Sequence, residues 1–237
     1  MKAVFKRDLY GFITTMQGYL FLAAFFLLFG FFFVRLIVLG SMDGLAAVFE
    51  QMSSVMLVFT PMLTMRLMVQ ESLLHTDLLL YSSPVSTFRI VLGKFLAAMT
   101  MVTGALAAAL IYMVILTIYG AQNIGEMLNY YLGFLLLCGT FIAVGLCVSS
   151  LVQKPIHAMA VTVGVLVLFW MLDNPAVSAT NPVLGALVSF VAIFTSFEDF
   201  LVGLIPLSGC VYLLSFSLFF LLLTCLIVER RKQGGMS

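Results

Sequence analysis

The chain has 237 residues, 63% of them hydrophobic and only 9% charged, with a formal net charge of +1. A soluble domain of this length would need far more polar surface, so a water-soluble fold is excluded. The mean hydropathy of +1.21 places most of the chain against lipid or other buried helices.

The apolar residues form six continuous runs, not the alternating strands of roughly ten residues that build an outer-membrane barrel. A bilayer core about 30 Å thick takes about 20 helical residues to cross. Within it each backbone N–H and C=O must find its partner inside the segment, which makes helices the default. The expected fold is therefore an all-α membrane protein with six transmembrane helices in one domain, 1–237.

In chain order, residues 1–18 come first. They mix Lys2, Lys6, Arg7 and Asp8 with Val4, Phe5, Leu9, Tyr10, Phe12 and Ile13. That pattern predicts an amphipathic helix lying on the membrane surface. No small-residue cleavage site follows a short apolar core, so it does not read as a signal peptide. The spans expected next are 19–39, 51–69, 96–119, 130–152, 155–172 and 211–228. Phe25, Phe26, Phe29, Phe31, Phe32 and Phe33 crowd the first span and are expected to face lipid.

Charge sets the expected direction. Lys2, Lys6, Arg7, Arg66, Arg89, Lys94, Lys154, Arg230, Arg231 and Lys232 all fall on one side of six crossings. The other side carries Asp43, Glu50, Glu126, Asp173, Glu198 and Asp199. Because Lys and Arg accumulate in cytoplasmic connections, both termini are expected in the cytoplasm. Arg35 is the exception, near the outer end of the first span, where its long stem can snorkel to the interface. Between spans five and six, residues 173–210 are interrupted by Pro175, Asn181 and Pro182. The apolar stretch 183–195 is too short to cross and predicts an outer re-entrant hairpin that then rises into the last helix.

Several features carry little chemistry. Cys138, Cys147, Cys210 and Cys225 follow no metal or redox spacing and suit packing. The methionines are scattered, and His75 and His157 stand apart from other ligand types. Gly93-Lys94 lacks the flanking residues of a phosphate loop. No acid sits near mid-span, which disfavours a proton-coupled carrier and places the energy source on another molecule. Gly139, Ala143, Gly145 and Ser149 in the fourth span, with Ala105 and Ala109 in the third, permit close helix contact.

The connection from Pro61 to Lys94 is the most specific part of the chain. Pro61 lies inside the second span, where it can kink a helix. Arg66 marks the interface. An amphipathic piece follows at 72–80, carrying Leu73, Leu74, Leu78, Leu79 and Leu80. Ser82-Ser83-Pro84 ends it, since Pro disfavours helix at the residue before it. Residues 86–94 then lead back into the membrane. A short surface helix between two long spans makes a docking site for a soluble partner.

This segment resembles the matching stretch of ABC-2 type transporter permeases. The resemblance rests on Thr64 and Arg66, on Glu71, on Thr76 with Leu79 and Leu80, on Ser83-Pro84-Val85-Ser86, and on Gly93-Lys94. His75 replaces the usual Gly before Thr76, and Gln70 an acid often found before Glu71. The six-span plan, the amphipathic N-terminus and the outer hairpin fit the same family. Length and pattern look closest to the small gliding-motility and copper-maturation type permeases.

The resemblance implies a non-catalytic half-transporter in a bacterial plasma membrane. It would pair with a second permease chain, identical or not, and with a cytoplasmic ABC ATPase subunit that holds the ATP and Mg. The chain itself would bind no cofactor and no nucleic acid, only lipid around it. Residues 70–90 would form the coupling region: Glu71 a polar latch at the base of the second span, Thr76 and Asp77 contacts or caps, Leu79 an anchor, with Ser83, Pro84 and Lys94 completing the set. The contending functions are a non-transporting membrane scaffold and a channel or proton-coupled carrier.

Overall fold

The computed structural model describes residues 2–38, 44–69, 86–118, 124–173, 193–203 and 206–234. Among them are eight α-helices and no strand: α1 (Lys2–Thr14), α2 (Met16–Val38), α3 (Gly44–Thr64), α4 (Thr87–Ile118), α5 (Ile124–Leu151), α6 (Pro155–Leu172), α7 (Ile193–Leu201) and α8 (Leu207–Gly234). The six longest apolar ones, α2 to α6 and α8, are each able to cross a membrane. Large apolar side chains such as Leu27, Ile111, Val114, Ile156 and Val211 stand exposed along them. A water-soluble monomer does not tolerate that much apolar surface. The chain is a multi-pass membrane protein, and the elements among its described residues are all helices.

The helices alternate in direction. Only five residues separate α2 from α3 and α4 from α5, and three separate α5 from α6, so these consecutive helices run antiparallel. Contacts fix the remaining ends. Lys94 on α4 meets Leu67 just beyond α3. Asp173, at the C-terminus of α6, meets Thr195 on α7. Asn129 on α5 donates to the Gly203 carbonyl just after α7, at 2.8 Å. One end of the bundle therefore holds α1 with Lys94, and the other holds α7 with Asp173.

The observed helices overrun the expected spans. α3 starts seven residues before the expected 51 and takes in Glu50; α4 starts nine before 96 and takes in Arg89 and Lys94. α8 runs on through Glu229 and Arg230. Apolar runs mark only the lipid-buried stretch, whereas backbone hydrogen bonding continues into the polar interface. α3 errs the other way. The second span was expected to reach 69, but the regular helix stops at Thr64 and residues 65–68 are turns. Pro61 lacks the N–H that would bond the Leu57 carbonyl, so it weakens α3 one turn before itself, not at the turns that follow.

The N-terminal segment is a helix, as expected, and its apolar face has a protein partner. α1 packs on α4, with Phe12 in the core and Phe5 and Leu9 against it. Its apolar face is spent on protein, leaving Lys6, Arg7, Tyr10 and Ile13 outward. A bend at Thr15 turns the chain into α2. Gly18 makes the bend possible: a Cβ there would lie 2.0 Å from the Phe12 carbonyl oxygen.

α5 is the hub, buried along most of its length and in contact with α3, α4, α6, α7 and α8. Its small residues admit close neighbours. A Cβ on Gly145 would lie 2.2 Å from Thr64 Oγ1, and one on Gly133 2.7 Å from the Phe200 side chain. Thr140 and Ser217 share a hydrogen bond of 3.1 Å across the α5–α8 contact, a pairing that suits a site without water. α6, by contrast, buries only Ala158, Thr162 and Leu166, one narrow stripe.

The phenylalanines expected to face lipid divide in two. Phe31 does so, but Phe25, Phe29 and Phe33 are buried. Spaced by four, they fall on one side of α2 and start an aromatic chain. Phe29 meets Phe49 at 5.5 Å, Phe49 meets Phe134 at 5.3 Å, and Phe134 meets Phe197 at 6.3 Å between centroids. The chain thus joins α2, α3, α5 and α7. In a run where nearly every residue is apolar, composition does not show which face is inward.

Candidate functional site at the charged end

The site grows from the broken end of α3. Pro61 interrupts the backbone ladder, and Thr64 Oγ1 turns back to the Pro61 carbonyl at 3.4 Å. Leu67 N–H bonds to the Thr64 carbonyl at 3.1 Å, a tight turn in place of another helical one. This leaves the Leu67 carbonyl in need of a donor, as the last carbonyls of any helix are.

The donor is Lys94. It lies two turns into α4 and is 1% exposed. Its Nζ donates to the Leu67 carbonyl, 27 residues earlier in the chain. A Lys at a helix C-terminus also meets the negative end of the backbone dipole. The same ammonium stands 3.7 Å from Asp8 Oδ2 on α1. Asp8 Oδ1 accepts from Arg7 Nε at 2.9 Å, while Oδ2 is buried and accepts no hydrogen bond. At an effective dielectric of about 20, two unit charges about 4 Å apart attract by about 4 kcal/mol before desolvation is subtracted. One ammonium thus ties three elements together: α1, the end of α3 and the start of α4.

Of the residues expected to couple to a partner, Lys94 alone is described. Glu71, Thr76, Asp77, Leu79, Ser83 and Pro84 lie outside the described residues, as does the amphipathic piece 72–80. Lys94 sits inside the bundle, directly beneath the two ends from which 70–85 departs. Arg66 and Arg89 are exposed.

Asp8 was legible but missed. Phe5, Asp8, Leu9 and Phe12 follow the spacing of one helix face, so Asp8 falls among the apolar residues of α1. An acid on a buried face calls for a partner.

The opposite end has its own polar lock. Asp173 is buried, and its carboxylate accepts from the backbone N–H groups of Phe194 and Thr195, the latter at 3.0 Å. It also accepts from Thr195 Oγ1 at 2.7 Å. This caps the N-terminus of α7 from the end of α6. Of the predicted outer hairpin, 174–192 lie outside the described residues. α7 itself turns Ile193, Phe194, Phe197 and Phe200 inward and leaves Glu198 and Asp199 outward. Burial first, then the carboxylates of Asp173, Glu50 and Asp199, push the Glu198 carboxyl above its ordinary value.

Neither the protein-family models nor the curated proteins compared with the chain match it.

Proposed function

We propose that the chain is the transmembrane permease subunit of an ATP-binding cassette exporter of ABC-2 type. The observation that carries this reading is the segment from Thr64 to Lys94, with Glu71, Thr76, Leu79, Ser83-Pro84 and Gly93-Lys94 in the family's order, set between two of six spanning helices. All but one of the cations gather at the end from which that segment departs, so by the charge bias of membrane loops both termini and residues 70–85 lie in the cytoplasm of a bacterial plasma membrane. Residues 173–192 with α7 then form the outer, re-entrant side.

In this reading a separate cytoplasmic ATPase, holding ATP and Mg, seats residues 70–85, with Leu79 as the anchor and Thr76 and Asp77 at its edge. A second permease chain completes the pore. When the two ATPases close, the push enters at Glu71 and tilts α3 and α4. Pro61 and the turns at 65–68 soften the end of α3 where that push arrives. Lys94 keeps α3 and α4 together at their common base. The chain hydrolyses nothing itself.

Replacing Leu79 with Asp is expected to spare membrane insertion and permease pairing while abolishing copurification with the ATPase. Undiminished ATPase binding by that variant would overturn the docking assignment. A non-transporting scaffold, the second reading, uses the same surface as a plain binding site; reconstituted vesicles that show neither transport nor ATPase stimulation would favour it.

A further inference from the structure

We propose that Lys94 is a positioning residue that makes α1 part of the moving unit, so that α1 travels with α3 and α4 when residues 70–85 are displaced. The inference rests on the reading of 70–85 as the ATPase contact, but the clasp itself is a property of the described residues.

Three observations carry it. First, the fully buried Lys94 ammonium bonds the Leu67 carbonyl, which lies three residues before 70–85 begins. Second, the same ammonium faces Asp8 across 3.7 Å, and Asp8 Oδ2 is a buried acceptor without a hydrogen bond. Third, α1 packs more extensively on α4 than on α2, to which the bend at Thr15 joins it, with Phe12 in the core and Phe5 and Leu9 against it. A displacement of Leu67 therefore pulls on a buried cation that also faces Asp8. A buried ammonium and a buried carboxylate are each costly to strip of a partner, so Lys94 and Asp8 resist separation.

The test uses nitroxide labels on the full chain in phosphatidylcholine–phosphatidylglycerol vesicles, in a Cys210→Ser background, since the other three cysteines are buried. One label pair replaces the exposed Tyr10 and Phe88 and reads α1 against α4. Another replaces the exposed Arg66 and Phe88 and reads the end of α3 against α4. Pulsed dipolar spectroscopy should give a narrow distance distribution for both pairs. Lys94→Met should lose the narrow component of both, and Lys94→Arg should keep both. Asp8→Asn should lose it only for the α1 pair. Asp8→Lys combined with Lys94→Asp should restore the α1 pair and leave the α3 pair spread, because a carboxylate cannot donate to the Leu67 carbonyl.

Unchanged distributions in Lys94→Met would overturn the proposal. So would simultaneous loss of both pairs in Asp8→Asn, which would mark general loosening. Should Lys94→Met not insert, the Asp8→Asn and Lys94→Arg arms still decide. No ATPase is present, so failure here removes the clasp and leaves the docking assignment standing, whereas failure of Leu79→Asp does the reverse.

Discussion

At Gly145, the absence of one carbon decides how closely two helices approach. Its missing Cβ is the space that Thr64 Oγ1 occupies. Gly145→Ala is expected to cost about 1–3 kcal/mol by overpacking, read as a lower thermal unfolding midpoint in detergent. Adding Thr64→Ala should recover part of that loss, because the hydroxyl in closest conflict is then gone. A Gly145→Ala chain as stable as the original would mean that α3 and α5 do not meet at this depth. Lys94 makes the complementary point. The sequence marks it as one of a Gly-Lys pair near an interface, but its role depends on Leu67 and Asp8, 27 and 86 positions away.

At the scale of elements, α7 shows how a short helix is held. Nine residues are too few to be stable alone. Asp173 caps it, and four of its apolar residues face α5 and α8. Its outward Glu198 opposes that packing when ionised. The folded chain raises the Glu198 carboxyl above its ordinary value, so the folded state favours the neutral acid. The stabilisation is complete at pH below the unfolded value and is lost as pH rises through the folded one. Unfolding midpoints of the original chain and Glu198→Gln, compared between about pH 4 and pH 8, should coincide at the acid end. The original should fall below the variant once pH passes the ordinary carboxylate range. Parallel curves throughout would remove the electrostatic strain assigned to this end.

For the whole molecule, the separation of charge is the governing fact. All cations but Arg35 lie toward the α1 end, with Asp8 and Glu229 among them, and Glu50, Glu126, Asp173, Glu198 and Asp199 lie at the α7 end. The proposed orientation predicts that a cysteine at Ser82 reacts with an impermeant thiol reagent only after cells are opened, whereas one at the exposed Asp199 reacts from outside intact cells. The opposite pattern would invert the molecule and place 70–85 beyond reach of any cytoplasmic ATPase. The central place of α5 and the thin contact of α6 also belong to this scale, since each follows from how many neighbours a helix has.

The six spanning helices were legible from residue order because crossing a bilayer requires about 20 consecutive apolar residues, whatever else surrounds them. The concentration of cations at one end was legible for the same reason: it follows from counting residues between crossings. The inward faces were not. A helix that is apolar all round carries no periodic signal, so the burial of Phe25, Phe29 and Phe33 and the exposure of Phe31 emerged only from packing. Nor did local sequence tell that α1 would turn its apolar face to α4, or that Asp173 would cap a helix 20 residues further on. Each depends on a partner far along the chain, and only the assembled bundle brings such partners within hydrogen-bonding range.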